Sequence, residues 1–244
     1  MMKVERGIAY APDWGERGKL DLYLPGEPAD LPLVMVIHGG GLREFSKERM
    51  AGVSAFIAEG GRIAVNINYR LLPDAPYPAA LQDVLAAYCW LREADRADLR
   101  RQDKTRIALL GASAGAFLAM MAGLILGREQ VRCMVSISGP AQPGRYAGEA
   151  AKGSPDPRLL SAPTELVGPH APPLLAIHSR NDQLVKPQES IAIIERMQAA
   201  GCCADLYLYD GPGKLHGIWR DDRRPPRLFR HIEDVIGSFL SRTL

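Results

Sequence analysis

Short apolar runs alternate along this chain with longer segments whose apolar positions recur three or four residues apart, and that alternation constrains the fold more than any single motif. L-V-M-V-I (33–37), I-A-V-N-I (63–67), I-A-L-L (107–110), M-V-S-I-S (134–138) and L-L-A-I-H (174–178) have the pattern of strands covered on both faces. L-D-L-Y-L (20–24) alternates as a half-buried strand does, and A-D-L-Y-L-Y (204–209) closes the set. Between them, 79–91, 116–126, 190–200 and 228–240 carry apolar residues at helical spacing, as helices that cover a sheet do. The order predicts an α/β fold: a mostly parallel, twisted sheet of about eight strands with helices on both faces. With 244 residues, 47% of them hydrophobic, the chain can bury such a core as a single domain over 1–244.

Charge excludes some functions. Thirty basic and 28 acidic residues leave a net charge of +2, which gives no broad electrostatic footprint for nucleic acid or an anionic membrane. The basic cluster R-D-D-R-R-P-P-R (220–227) reads as a solvated loop. The N-terminus lacks the apolar core of a secretory signal, and no segment approaches the roughly 18 apolar residues of a membrane span, so a cytoplasmic protein is expected. Four cysteines show neither metal-ligand spacing nor a disulfide framework.

The run ending at Leu110 leads directly into G-A-S-A-G (111–115) and then into a helical segment. A serine on a sharp strand-to-helix turn stands at the carboxyl edge of a parallel sheet, where open α/β folds bind ligands. Gly111 and Gly115 are expected to keep side chains out of a crowded turn, and the Ala114 amide to face negative charge developing beside Ser113. Alone, G-x-S-x-G is a pattern that small residues produce by chance. A second motif supports it: the strand 33–37 runs into H-G-G-G-L (38–42), whose bare glycine amides suit an oxyanion. Gly40 and Gly41, with Ala114, are assigned to that hole. Neither phosphate-binding glycine pattern is present.

A serine at neutral pH needs a general base oriented by a carboxylate. Of five histidines, His38 is expected to brace the glycine loop, His170 lies in a proline-rich loop, His178 ends a buried strand and His231 sits in the last helix. His216, in G-P-G-K-L-H-G-I-W between the last strand and the last helix, is the candidate base. Asp182, in the loop after 174–178, is the candidate carboxylate, and Ser113, Asp182, His216 is the chain order this fold uses. Asp205 and Asp210, flanking the last strand, are the alternatives.

These motifs, with N-Y-R-L (68–71), P-Y-P-A-A-L-Q-D-V (76–84) and N-D-Q-L-V (181–185), resemble the α/β-hydrolase superfamily in its hormone-sensitive-lipase-like carboxylesterase branch. The resemblance runs from about residue 20 onward. It implies a serine esterase that acts on small esters through an acyl-enzyme and needs no metal or other cofactor. Lipase-like members usually carry G-D-S-A-G and an aspartate-proline-leucine acid motif; Ala112 and S-R-N-D-Q-L-V bring this chain closer to small acetyl-esterase, feruloyl-esterase-like and kynurenine-formamidase-like relatives. A formamidase acting on aryl amides is therefore one alternative, although that group typically has an aromatic pair where this chain has Gly41 and Leu42. A non-catalytic binding module is another, although such modules usually lack a triad member.

Only 37 residues precede His38, too few for the helical cap of many lipase-like relatives. The segment 139–173 is rich in Gly, Pro and Ala and reads as a loop with one or two short helices, so little or no cap is expected. Leu42, Phe45, Tyr146, Leu215 and Trp219 are the candidates to line the resulting open site, which suits small soluble esters. An exposed edge strand or the last helix offers a surface for a homodimer.

Overall fold

The structure is a computed structural model that describes residues 1–26, 30–100, 102–142, 156–212, 216, 218–219 and 226–244. Eight strands among these residues, β1 (Lys3–Ala9), β2 (Lys19–Leu24), β3 (Leu33–Ile37), β4 (Ile63–Ile67), β5 (Ile107–Ala112), β6 (Cys133–Ile137), β7 (Leu174–Ser179) and β8 (Ala204–Tyr209), form one sheet. Its order is β1-β2-β4-β3-β5-β6-β7-β8. The two pairings at the β1 end are antiparallel and the other five are parallel. Strands β3 to β7 are buried along their whole length, which is why they read as continuous apolar runs.

Alternate residues of these strands feed two cores. Leu33, Met35, Ile37 and Leu109 pack with Leu81, Val84 and Tyr88 of α2 (Ala79–Glu93), with Phe117 and Met121 of α4 (Ala114–Leu126), and with Ile193 and Met197 of α6 (Gln188–Ala199). Val34, Val36, Leu110, Val135 and Ile137 pack with Val53 and Ile57 of α1 (Ala51–Glu59) and with Ile236, Phe239 and Leu240 of α7 (Arg230–Thr243). Helices thus cover both faces, as the alternation predicts. Two four-residue helices, α3 (Ala97–Arg100) and α5 (Pro163–Leu166), complete the set.

Several elements depart from the sequence reading. β1, K-V-E-R-G-I-A, is a half-exposed edge strand without an apolar run, so no pattern marked it. Gly52 interrupts the apolar spacing of α1; a Cβ there would lie 2.2 Å from the Pro226 carbonyl oxygen, so the helix needs glycine to pack. β5 continues to Ala112 and α4 begins at Ala114, which compresses the expected five-residue turn to a single residue, Ser113. The described part of 139–173 holds a 3-10 turn (Pro157–Leu160) and α5, two short helices as expected. No helix among the described residues is long and apolar enough to cross a membrane.

Candidate active site

Ser113 sits between β5 and α4 with φ 56° and ψ −123°, a conformation strained for any residue with a side chain. Its amide donates to the Ile137 carbonyl at 2.8 Å, which ties the turn to β6. The flanking glycines explain how the chain can turn so sharply. A Cβ on Gly111 would lie 2.1 Å from the Gly115 carbonyl oxygen, and one on Gly115 would lie 2.2 Å from the oxygen of Ile37 and 2.3 Å from that of His38. The same crowding brings the glycine loop to the serine: a Cβ on Gly39 would lie 3.1 Å from the Ser113 Cβ.

In that loop the Gly40 carbonyl accepts from the amides of Arg43 and Glu44 at 2.9 and 3.1 Å. Among the described residues the amides of Gly40 and Gly41 donate to no backbone carbonyl. Ala114 is the first residue of α4, where an N–H has no partner within the helix. His38 is fully buried and stacks on Tyr69, with ring centroids 4.2 Å apart. Its Nδ1 lies 2.7 Å from the Gly39 oxygen, which can only accept, so Nδ1 carries the proton. The Tyr69 hydroxyl donates to the His38 carbonyl at 2.9 Å, so ring and backbone both hold the loop.

Burial pushes the His38 imidazole down to about 4 from an ordinary 6.5, against the raising effect of its bond to Gly39. As pH falls through that window the unfolded chain takes up a proton that the folded chain refuses, so stability is lost between those two values and not below them. The loss should total roughly 3 kcal/mol. Urea midpoints measured from pH 7 to pH 4 check this, and His38→Asn is expected to flatten the slope.

His216 bridges the other two candidate residues. Its Nε2 is 3.0 Å from Ser113 Oγ and its Nδ1 is 2.7 Å from Asp182 Oδ2. Asp182 is buried, and its Oδ1 accepts from the amides of Leu184 and Val185 at 2.9 and 3.0 Å. Burial opposes the charge, but the bonds from His178, His216 and the Val185 amide outweigh it and hold the carboxyl far below the usual range. The alternatives stand elsewhere: Asp205 pairs with Arg242 at 2.8 Å, and Asp210 is exposed, 4.0 Å from Arg180.

His178 is the residue that sequence reasoning missed. Its Nε2 lies 3.2 Å from Asp182 Oδ2 and 3.0 Å from the Val185 carbonyl, both acceptors, so Nε2 carries the proton. Nδ1 then accepts from the Ser190 hydroxyl at 2.7 Å. A histidine four residues before the aspartate was visible in H-S-R-N-D, but spacing alone does not show that the loop curls back onto the strand end.

Ser113 and His216 open into a pocket of about 750 Å³ lined by Gly39, Gly40, Gly41, Phe45, Arg49, Leu184 and Trp219 among others. Phe45 and Trp219, two of the sequence candidates, line this pocket. Leu42 does not: it is 1% exposed and belongs to the core, because the positive φ of Gly40, Gly41 and Leu42 turns the chain so that its side chain packs inward. Tyr146 and Leu215 lie outside the described residues. Among the described residues no group of three His, Cys, Asp or Glu side chains is placed to hold a metal ion.

A mostly parallel eight-stranded sheet, a serine on the turn between its fifth strand and the following helix, and the serine–histidine–aspartate contacts define the architecture of an α/β-hydrolase. Comparison with known proteins narrows this. A model described as the prolyl oligopeptidase family matches residues 79–240, about two thirds of the chain, and one described as BD-FAE matches residues 20–136. The chain belongs to that prolyl oligopeptidase family of α/β-hydrolases, and proteins named as esterases and as hormone-sensitive lipase are among the relatives it is similar to.

Esterase LipC of Mycobacterium tuberculosis is 25% identical over 224 residues, covering 80% of this chain and 54% of that protein. Hormone-sensitive lipase of Mus musculus is 37% identical over 106 residues, 43% of this chain and 14% of the lipase. This chain thus spans about half the length of the first relative and about a seventh of the second. Among solved structures, an inhibited esterase B from Lactobacillus rhamnosis shares the fold with a TM-score of 0.83 at 20% identity, covering 99% of this chain and 86% of that one. A truncated carbohydrate esterase from gut microbiota shares it with a TM-score of 0.80 at 22% identity, covering 99% and 96%.

Proposed function

We propose that this chain is a serine carboxylesterase that cleaves small carboxylic esters through an acyl-enzyme on Ser113. The observation that carries the reading is the continuous contact from Ser113 Oγ to His216 to buried Asp182, at the floor of a pocket walled by bare glycine backbone. Ser113 Oγ attacks the ester carbonyl as His216 Nε2 takes its proton, and Asp182 keeps the other imidazole proton on Nδ1 and stabilises the imidazolium. The tetrahedral oxyanion takes hydrogen bonds from the amides of Gly40, Gly41 and Ala114. His216 then protonates the departing alcohol, and a water deprotonated by the same imidazole hydrolyses the acyl-enzyme. The first proton transfer, from Ser113 Oγ to His216 Nε2, uses side chains already in contact.

The pocket volume is in the range of roughly 300–1,000 Å³ that small ligands occupy. The relatives named as esterases and lipases support ester chemistry. A panel of 4-nitrophenyl acetate, butyrate and octanoate, a feruloyl ester, N-formylkynurenine and a prolyl peptide amide tests the reading. The short esters are expected to give the highest kcat/KM. Turnover of the amides without the esters would replace this reading with a formamidase or peptidase, and no turnover of any would leave a binding module.

His178 acts in this reading as a positioning residue, since it touches Asp182 and not the substrate. His178→Ala is expected to lower kcat about tenfold or more with KM little changed, because one acceptor site of the carboxylate loses its donor in a buried setting. Steady-state kinetics with 4-nitrophenyl butyrate check this. An equal loss through KM alone would contradict it.

A further inference from the structure

The pocket above Ser113 contains a cation that ester hydrolysis does not use. Arg49, in the 3-10 turn Lys47–Met50, lines the same pocket as Ser113 and His216. Its Cζ lies 5.4 Å from the centroid of the Phe45 ring and 4.9 Å from that of Trp219, and among the described residues it has no carboxylate partner. Several other arginines are used differently: Arg70, Arg96, Arg106 and Arg227 each hold one or more carboxylates. Even in its own turn the neighbouring Lys47 is buried and paired with Asp21 and Glu48 at 3.1 and 2.8 Å. Arg43 and Glu44, also on the pocket wall, are opposite in charge, so among the described lining residues Arg49 adds a further positive charge.

The aromatic rings hold the guanidinium in place without occupying it. Ring faces attract a cation, but they do not take the parallel pair of N–H bonds that a planar carboxylate accepts from arginine. Phe45 has a φ of 70° and is 47% exposed, two costs for a phenylalanine in one position. Its carbonyl accepts from Arg17 Nη1 at 2.8 Å, which holds the strained backbone so that the ring stays against Arg49.

We propose that Arg49 is the anion-recognition residue of this pocket, and that the preferred substrates are esters carrying a carboxylate on the acyl or the alcohol side of the scissile bond. The substrate class rests on the ester-hydrolase reading above; the anion site does not. Two matched substrate pairs distinguish the sides. For the acyl side, 4-nitrophenyl hemiadipate is compared with the 4-nitrophenyl ester of monomethyl adipate; for the alcohol side, 4-acetoxybenzoate is compared with 4-acetoxybenzamide. In the wild-type protein the charged member of at least one pair is expected to be favoured about ten- to hundredfold in kcat/KM, and R49Q is expected to bring that ratio close to one.

Calorimetric titration of the wild-type protein and of R49Q with adipate and with adipamide reads the same site without turnover. Adipate is expected to bind the more tightly. Turnover of the neutral esters with no preference for either charged partner, or a preference that R49Q retains, overturns the anion site and leaves the esterase reading standing. No turnover of any ester, with adipate bound by the wild type and not by R49Q, overturns the esterase reading and leaves the anion site standing.

Discussion

Ser113→Ala is expected to lower kcat for a short-chain ester by a factor on the order of 10⁴ to 10⁶, with no loss of stability. The size of the fall follows from the geometry: His216 Nε2 is 3.0 Å from Ser113 Oγ, and the proposed route passes through that hydroxyl. The stability half is equally specific. Ser113 holds φ 56°, where a residue with a side chain is strained by about 1–3 kcal/mol, so the hydroxyl is presented at a cost to the fold. Ser113→Gly relieves that strain and is expected to raise the unfolding free energy by about 1 kcal/mol while abolishing turnover. Nitrophenol release and urea midpoints of the wild type and the two variants test both halves. Wild-type turnover by Ser113→Ala would sink the mechanism, and a Ser113→Gly variant less stable than the wild type would sink the strain argument.

Gly115→Ala is expected to have a large effect on the fold for a single added methyl. Its Cβ would meet two backbone oxygens, of Ile37 at 2.2 Å and of His38 at 2.3 Å. Backbone at the end of a central strand cannot rotate away as a side chain would, so β3 or α4 must move, and both are packed in the core. A loss of more than about 3 kcal/mol is expected, enough to leave a domain of ordinary stability partly unfolded. Gly41→Ala is the control: nothing lies within 4 Å of its Cβ, and only its φ of 61° resists the change. It should cost about 1 kcal/mol. Circular-dichroism melts rank the two, and equal midpoints would contradict the close-approach account.

The elements legible in the sequence were those whose environment is uniform along their length. β3 and β4 appear at the residues read for them because burial is continuous there. β1 was invisible because an edge strand with Gly7 at its bend needs no apolar run. Ser113, Asp182 and His216 were legible because each stands directly after a recognisable strand or in the loop beyond it, and the chain order is fixed by the sheet. Leu42, Arg49 and His178 were not legible, because their positions depend on how two loops curl. In the first, consecutive positive φ angles at Gly40, Gly41 and Leu42 send Leu42 into the core and return the chain to place Phe45 and Arg49 at the pocket. In the second, the Asp182 loop folds back so that His178 and His216 share one carboxylate oxygen. A linear pattern records neither turn.

The most direct measurement is the intact mass of the protein after treatment with a fluorophosphonate, followed by peptide mapping. The account predicts one adduct per chain, on the peptide containing Ser113, formed in step with the loss of esterase activity and absent from Ser113→Ala. Full loss of activity with the adduct on another residue, or complete labelling of Ser113 with ester turnover intact, would contradict it.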